Sequence, residues 1–540
     1  MPARTPNISA WVSRWHVVLV LAACLLVFWI GLGDRPFAAS EGHRVVPGWT
    51  MLESGDWWHL DMFGQTYVRK PPGMPWAIAG LSSIFGQTEF GARSASALAS
   101  TLAALLAMVF GARWFGARFG VVCGLMQATL PLLWLPGRTA EIEALHNLGV
   151  QMASLAMMDL VLSGTAAGAW LRGLGAAPSA DDDPMRIGPA GGSDADGLRP
   201  AALRLVMMML GAAGIVVAGL AKGPAGAPVL IGTLIGGALA MRSFRAPARV
   251  LIVLAMAIGG GVLWVFARKI LAANNDPGAI RQGSDDFLWT QGVGKVLLMG
   301  PTAFVSAMPA ALAFVFVWGG NARREAGLSG SGATRRAYGV ARLLAYTWAA
   351  TMVVMTVMGV GNARYAMPAA FVFPMLCGYV VRGVWGAHAS FGKSRREWAR
   401  ALTFKNPTSW VVVLCVAAVL GGRFAARRAQ SDDPREAARV IAEAFGSAGA
   451  GEVWADDLIE ARPDVLLYAE RGTQGAMNVL WKKSEMVQTR LPPTGALIVL
   501  RTDKESGERR RYGEAIADGK LILVREGRLG KYGFEVYRVR

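Results

Sequence analysis

The sequence has few charged residues for its length. Aspartate, glutamate, lysine and arginine make up 17% of the 540 residues, and hydrophobic residues make up 53%, whereas soluble domains carry roughly 25% charged residues. The apolar residues form blocks of about 18 to 22, the length that crosses a hydrocarbon core roughly 30 Å thick. Their most apolar parts are Val17–Leu32, Ala95–Phe110, Val250–Phe266 and Tyr346–Val360. This shortage of charge excludes a series of soluble domains and predicts an α-helical, polytopic membrane protein.

Cysteine and histidine are also scarce, with four and five residues respectively. All four cysteines fall in apolar segments, which excludes a disulfide framework and indicates small core side chains. The sequence lacks a nucleotide-binding glycine motif. No cofactor is predicted to be required. A divalent metal is a weaker alternative, since Glu143 and His146 are spaced as metal ligands on one helix face would be.

The net charge of +18 raises the question of a nucleic-acid partner. Most of the excess lies in short loops between apolar segments, as in the positive-inside pattern of cytoplasmic loops. No basic stripe is interleaved with stacking aromatic residues, so a nucleic-acid partner is not expected. The basic residues in these loops are Arg113, Arg118, Arg242, Arg245, Arg249, Arg323, Arg324, Arg335, Arg336, Lys393, Arg395, Arg396 and Arg400.

These basic loops predict a topology with a cytoplasmic N-terminus and an uncleaved first span. A first outer loop follows at residues 34–93, in which Pro71–Phe85 is too short to cross and is predicted to lie on the membrane or re-enter it. Polar residues 173–200 predict a flexible cytoplasmic insertion. About 11 spans, within a range of roughly 10–13, fit a membrane domain at 1–424. Residues 425–540 predict a small extracytoplasmic α/β domain, with a helix at Pro434–Phe445 and strands at Ala496–Arg501, Leu521–Val524 and Phe534–Val539.

In this topology, charged residues gather on the outer face. Carboxylates beside cations at the mouth of a helix bundle suit transfer from a phosphate leaving group, because cations neutralise the phosphate and a carboxylate deprotonates the nucleophile. The residues predicted there are Glu41, His43, Arg44, Arg69 and Lys70 in the first loop, Arg138, Glu141, Glu143 and His146 after span 3, Lys222 after span 5, and Arg364 and Tyr365 after span 9.

Several of these segments resemble motifs of the GT-C glycosyltransferases. The runs Met51–Trp57 and Gly64–Pro72 are similar to the first outer loop of the bacterial protein mannosyltransferase and lipid A aminoarabinose transferase group. The turn Lys222-Gly223-Pro224 and the pair Arg364-Tyr365 ahead of Pro368 follow in the expected order. The resemblance covers about residues 15–385. It implies a GT-C fold and transfer of a sugar from a polyprenyl-phosphate donor, with inversion, at the extracytoplasmic face.

The resemblance also implies roles for individual residues. Glu41 and Glu143 correspond to the two acids and are the predicted catalytic residues. Lys70 corresponds to a phosphate ligand, Tyr67 to a residue that lines the cavity, and Tyr365 to one near the lipid phosphate. Charge adds further candidates for the substrate-binding set: Arg44, Arg138, Lys222 and Arg364.

Two departures from the motif affect these assignments. An ungapped alignment from Met51 places Ser40 at the usual catalytic aspartate, whereas one deleted residue aligns Glu41 and Arg44 with the acidic and basic residues of the motif. We prefer the second alignment because it retains both charges. Arg69 replaces the usual glutamate before Lys70, which weakens an inherited metal site.

The sequence thus predicts a membrane glycosyltransferase that uses a polyprenyl-phosphate sugar and a lipid or protein acceptor, with membrane lipids around it. The alternative is a secondary transporter or lipid flippase. That class places charges near the bilayer midplane, often in repeated halves, whereas the charges here cluster at one face and no internal repeat is evident. Neither the donor sugar nor the acceptor follows from the sequence.

Overall fold

A computed structural model describes residues 14–67, 70–162, 195–241, 293–308, 310–318, 332–385, 433–449, 451–481, 491–502 and 508–540. The apolar segment Val250–Phe266 and Cys415 lie outside these residues, as do Arg69 and most of the segment 173–200. The last six residues of that segment, predicted to be flexible, are instead the start of a helix that runs from Ala195 to Lys222. This difference reflects the good helix formers that follow, including Ala201, Ala202 and Leu203.

The part up to residue 385 is helical. Its helices are α1 (Arg14–Cys24, continued by a π-turn at Leu25–Trp29), α2 (Gly42–Ser54), α3 (Gly73–Phe85), α4 (Glu89–Phe115), α5 (Ala117–Ala128), α6 (Pro131–Trp134), α7 (Ile142–Leu162), α8 (Ala195–Lys222), α9 (Ala227–Met241), α10 (Val293–Ser306), α11 (Leu312–Trp318), α12 (Gly332–Val357) and α13 (Val372–Trp385). Short 3-10 helices at Ala39–Glu41, Pro136–Arg138, Gly223–Gly226 and Ala363–Ala369 connect them.

Four helical segments among the described residues are long and apolar enough to cross a membrane: Glu89–Phe115, Ile142–Leu162, Leu203–Ala240 and Ala337–Val357. Two bent pairs raise the number to as many as six. One of them consists of α5 and the segment Pro131–Arg138, which meet at 63°. Proline at the start of the second piece disfavours helix at the preceding Leu130, which is extended.

Helices α7 and α8 approach so closely that their backbones touch. A methyl group at Gly149 would lie 2.5 Å from the backbone nitrogen of Ala218, and one at Gly214 would lie 2.6 Å from that of Ala153. Only glycine fits at such distances, as in small-residue packing between membrane helices. This contact places the first turn of α7 beside the last turn of α8, where Glu143 and Lys222 lie.

Residues 433–540 form a mixed sheet with helices. The helices are α14 (Pro434–Ala448), α15 (Asp457–Ala461), α16 (Pro463–Gly472), α17 (Glu508–Arg511) and α18 (Gly513–Ala517). After the first-loop hairpin β1 (Asp61–Met62) and β2 (Gln65–Thr66), the strands are β3 (Glu452–Ala455), β4 (Asn478–Trp481), β5 (Leu497–Arg501), β6 (Leu521–Leu529) and β7 (Tyr532–Val539). The strand order is β4-β3-β5-β7-β6, parallel on both sides of β3 and antiparallel at β7.

The C-terminal region shares a hydrophobic core with the first loop. Phe37, Trp49 and Met62 pack in the same buried cluster as Ile441 and Leu466. Polar contacts tie the two parts together: the Tyr468 hydroxyl accepts from the Phe37 amide and donates to Glu89, both at 2.8 Å, and Trp481 donates its amide to the Phe63 carbonyl at 2.8 Å. The loop that carries the predicted site is thus held between the helical bundle and the C-terminal region. The contacts that hold it there are Arg471 over the ring of Trp49, with its guanidinium carbon 3.8 Å from the centroid, Arg471 to Gln87 at 2.7 Å and Arg435 to Glu89 at 2.5 Å.

Candidate active site

Glu143 lies at the centre of a partly buried group of charges. It stands in the first turn of α7, and its Oε1 accepts from the Lys222 ammonium at 3.1 Å and from the Arg364 guanidinium at 2.8 Å. The Lys222 ammonium also lies 4.6 Å from the centre of the Tyr365 ring. One carboxylate against two cations leaves an excess of one positive charge. The side chains of Glu143 and Lys222 are buried, while that of Arg364 is 49% exposed.

Backbone breaks place the two cations. Gly223 has a φ of +62° immediately after Lys222, which ends α8 and starts the 3-10 turn Gly223–Gly226. At the other break, the Asn362 side chain accepts from the amide of Arg364 at 3.1 Å and caps the 3-10 helix Ala363–Ala369. Lys222 is the last residue of α8, and Arg364 lies at the start of the 3-10 helix. Both side chains contact the same carboxylate.

Further cations lie around this group. Lys70 is half-buried and close enough to Lys222 for the two ammonium groups to repel each other. Arg44 is buried on α2 and donates to the Tyr67 hydroxyl at 3.1 Å, while its Nε makes no hydrogen bond within the described residues. Burial works against the charge of Arg44, but Tyr67 and nearby carboxylates raise its pKa above the ordinary value. The carboxylates concerned are Glu141 and Glu143.

Glu41 has a different environment from Glu143. Both of its oxygens are used: Oε1 accepts from Arg93 Nε and the Ala140 amide, each at 2.8 Å, and Oε2 accepts from Arg93 Nη2 and the Ala38 amide, each at 2.9 Å. The side chains of Glu41 and Arg93 are 2% and 4% exposed. Arg93 also donates to the carbonyls of Leu32, Arg35 and Pro36. Glu41 therefore ties the first loop to α4 and to the turn before α7.

Arg138 lies at the end of α1. Its guanidinium donates to the carbonyls of Val27 at 2.8 Å, Ile30 at 3.0 Å and Gly31 at 2.9 Å. The last carbonyls of a helix lack partners within the helix, and a cation there also complements the helix dipole. Most of the donors of Arg138 are therefore directed at the end of the first helix.

Comparison with known proteins adds to this geometry. The family model described as dolichyl-phosphate-mannose-protein mannosyltransferase matches residues 69–178. The structure of ArnT from Cupriavidus metallidurans bound to undecaprenyl phosphate aligns over 97% of this chain and 98% of that one, with a TM-score of 0.62 and 16% identity. The apo structure of the same protein gives a TM-score of 0.61. This chain resembles the GT-C glycosyltransferases in fold.

Curated relatives match the chain over a shorter length. The undecaprenyl phosphate-alpha-4-amino-4-deoxy-L-arabinose arabinosyl transferase 2 of Pseudomonas fluorescens is 29% identical over 147 residues, which is 27% of either chain. The corresponding transferase of Pseudomonas savastanoi pv. phaseolicola is 35% identical over 96 residues, 18% of either chain. The matched segment is thus about a quarter or less of these relatives. The resemblance predicted from the motifs, to the mannosyltransferase and aminoarabinose transferase group of polytopic membrane proteins, is confirmed.

The sequence places Glu141 among the outer charges, but Glu141 is not one of the residues predicted to be catalytic or to bind substrate. Glu141 lies in the short loop before α7, and its Oε1 accepts a hydrogen bond from the Ser40 hydroxyl. Burial raises the pKa of Glu141, with Arg44 acting against the rise and Glu143 adding to it. The signal in the sequence was the loss of an acid at Ser40 in one alignment, together with an additional acid two residues before Glu143.

The metal alternative gains no support from the residues that the structure describes, where no three His, Cys, Asp or Glu side chains are placed to hold an ion. Glu41 and Glu143 accept hydrogen bonds from cations, and Glu141 accepts one from the Ser40 hydroxyl. His146 directs Nδ1 at the Ala218 carbonyl, 3.2 Å away, and its Nε2 is buried without a hydrogen bond among the described residues.

Proposed function

We propose that this protein is a membrane glycosyltransferase that transfers a sugar from a polyprenyl-phosphate donor to a lipid or protein acceptor. The observation that carries the proposal is the convergence of Lys222 and Arg364 on one oxygen of Glu143. An excess of cations in a partly buried site favours an anionic ligand, and a phosphate accepts from several donors at once. The names of the relatives and the undecaprenyl phosphate bound to the similar structure support a polyprenyl phosphate as that anion.

In this proposal, the cations act on the leaving group. As the bond between the anomeric carbon and the phosphate oxygen breaks, negative charge develops on the phosphate. Fixed cations in a site with little water stabilise that charge without reorganising. Lys222 and Arg364 supply two of these charges, and Lys70 and Arg44 extend the cluster. Tyr67 orients Arg44 through its hydroxyl, and Tyr365 covers the Lys222 ammonium.

The two predicted acids take supporting roles. Glu143 binds two cations through one oxygen, so its main effect is to hold Lys222 and Arg364 together at a fixed spacing. Glu41, with both oxygens occupied, is assigned a positioning role. Arg138 is assigned a positioning role at the end of the first helix. We place the site at the extracytoplasmic face, and we expect inversion at the anomeric carbon in a single displacement.

The test uses the purified full chain in proteoliposomes with radiolabelled donors. The donors are the undecaprenyl-phosphate aminoarabinose of the relatives and undecaprenyl-phosphate mannose, and the acceptors are lipid A and a serine- and threonine-containing peptide. Transfer should occur with at least one pair, and Lys222→Ala and Arg364→Ala should each lower it at least about 10-fold. The matched control is Lys520→Ala, at an exposed lysine that pairs with Asp518 in the C-terminal region. Undiminished transfer by both site variants would contradict the proposed phosphate site.

A further inference from the structure

The proposed reaction needs a group that removes a proton from the acceptor hydroxyl, and the three buried or half-buried acids near the cations differ in their capacity to do so. The two predicted from the sequence are occupied by strong donors. Glu41 accepts from Arg93 and two backbone amides, and Glu143 accepts from two cations. Glu141 accepts one hydrogen bond, from the neutral Ser40 hydroxyl, and its second oxygen has no hydrogen bond or ion pair within the described part of the chain.

The surroundings of Glu141 hold it in one place. Its backbone carbonyl accepts from Ser96 on α4 at 3.3 Å, and its amide donates to the Thr139 carbonyl at 2.7 Å. Glu41 accepts from the amide of Ala140, the preceding residue. Ser40 and Glu41 are neighbours in the 3-10 helix Ala39–Glu41, so the Arg93–Glu41 pair fixes both the hydroxyl that binds the carboxylate and the backbone that carries it.

Glu141 is also near the proposed phosphate site. It interacts electrostatically with Arg44 on α2 and with Glu143 at the start of α7. Arg44 in turn interacts with both carboxylates. Glu141 is partly exposed while Glu41 is buried, so Glu141 is the more accessible of the two acids to an acceptor hydroxyl.

We propose that Glu141 is the general base of the transfer and that Ser40 is the residue that positions it. This inference rests on the proposed glycosyl transfer and assigns a catalytic residue to it. The proton of the acceptor hydroxyl goes to the free oxygen of Glu141 as the acceptor oxygen bonds to the anomeric carbon. The bond from that carbon to the phosphate oxygen breaks, and its electron pair leaves with the polyprenyl phosphate. No other reactant is required for the balance.

The first test compares wild type with Glu141→Gln in the proteoliposome assay. General-base removal costs about 10² to 10⁴ in rate, so kcat should fall at least about 100-fold. Binding of undecaprenyl phosphate, measured separately, should stay within about 3-fold, because the cations remain. Glu53→Gln, at an exposed acid near the end of α2, is the matched control and should keep wild-type kcat. A smaller fall in kcat, or an equal loss of undecaprenyl phosphate binding, would overturn the assignment.

The second test moves the carboxylate. The Ser40 hydroxyl donates a hydrogen bond to the Glu141 carboxylate. Ser40→Asp combined with Glu141→Gln therefore places a carboxylate next to the position of the lost one. In this double variant, kcat should recover at least about 10-fold over Glu141→Gln alone. Absence of recovery would contradict the positioning of Ser40.

The pH dependence of kcat distinguishes a general base at position 141 from a residue that only stabilises the structure. In wild type, kcat should rise with pH through a midpoint above the ordinary glutamate pKa of about 4.3, because burial raises the pKa of Glu141 against the effect of Arg44. Glu41 and Glu143, which also face it, act in the same direction as burial. Glu141→Gln should abolish this limb; a limb that persists in the variant would overturn the assignment. Absence of transfer by wild type with every donor and acceptor would instead refute the proposed function itself.

Discussion

Removal of the Glu41 carboxylate should destabilise the fold before it affects chemistry. The side chains of Glu41 and Arg93 are 2% and 4% exposed, and Arg93 makes two of its five hydrogen bonds to Glu41. Breaking a buried ion pair from one side costs about 3–5 kcal/mol, because the remaining charge loses its partner in a medium of low polarity. Glu41→Ala should therefore lower the free energy of unfolding by about that amount. Glu41→Gln should cost less, since it retains the hydrogen-bonding shape.

The assay is denaturant titration of the purified full chain in mixed micelles, followed by tryptophan fluorescence. A double-mutant cycle of Glu41→Leu and Arg93→Met isolates the interaction between the two side chains. The double variant should lose less free energy of unfolding than the sum of the two single variants, by about 0.5–3 kcal/mol. Transfer activity, expressed per folded molecule, should fall much less in Glu41→Gln than in Glu141→Gln. A Glu41→Gln variant with wild-type stability and no activity would refute this reasoning and return the catalytic role to Glu41.

Three further outcomes follow from other contacts. Lys222→Ala should weaken binding of undecaprenyl phosphate at least about 10-fold, as measured by calorimetry, because a charged hydrogen bond contributes about 1.5–3 kcal/mol; equal affinity would exclude it from the phosphate site. Tyr468→Phe removes the hydroxyl that donates to Glu89 at 2.8 Å and should lower the free energy of unfolding by about 1–3 kcal/mol, and an unchanged value would show that this contact does not join the two parts. Gly149→Ala should lower the thermal midpoint, because its methyl group would lie 2.5 Å from a backbone nitrogen of α8. Gly219→Ala, with nothing within 4 Å, is the control, and equal midpoints for the two variants would contradict the close packing.

The sequence predicted the components of the site better than their contacts. Glu143, Lys222, Arg364 and Tyr365 were selected from motifs far apart in the chain, and the structure brings all four together. The side of the membrane on which the charges lie and the order of the motifs were sufficient to group these residues. Polar side chains at the end of a membrane helix are excluded from the hydrocarbon core and therefore gather at the same face. The roles of these residues stay predictions.

Partners of individual side chains could not be read in the same way. The sequence placed both Glu41 and Glu141 among the outer charges, yet Glu41 pairs with the buried Arg93 and Glu141 accepts from a hydroxyl. Arg93 lies in an apolar helix, and its ability to reach back to the first loop depends on helix packing. Pairing across such distances is a property of the folded state, so pattern alone did not separate a structural acid from a candidate base.

In the C-terminal region, too, the sequence predicted only part of the secondary structure and none of the packing against the first loop. Strands were predicted at Ala496–Arg501, Leu521–Val524 and Phe534–Val539, where apolar β-formers dominate. The structure has strands at Leu497–Arg501, Leu521–Leu529 and Tyr532–Val539. The two four-residue strands, Glu452–Ala455 and Asn478–Trp481, were missed because so few residues give no clear alternation. The core shared with the first loop was also not predicted, since burial patterns do not reveal which surface covers a face.

The most direct measurement of the central claim is product analysis in sealed proteoliposomes that contain the purified chain, a labelled polyprenyl-phosphate sugar and an acceptor. A transferase makes one glycosylated acceptor for each polyprenyl phosphate released, and mass spectrometry of both products should show equal amounts that rise together with time. Recovery of the intact donor on the opposite side of the bilayer, with no glycosylated acceptor, would contradict the account and identify a transporter.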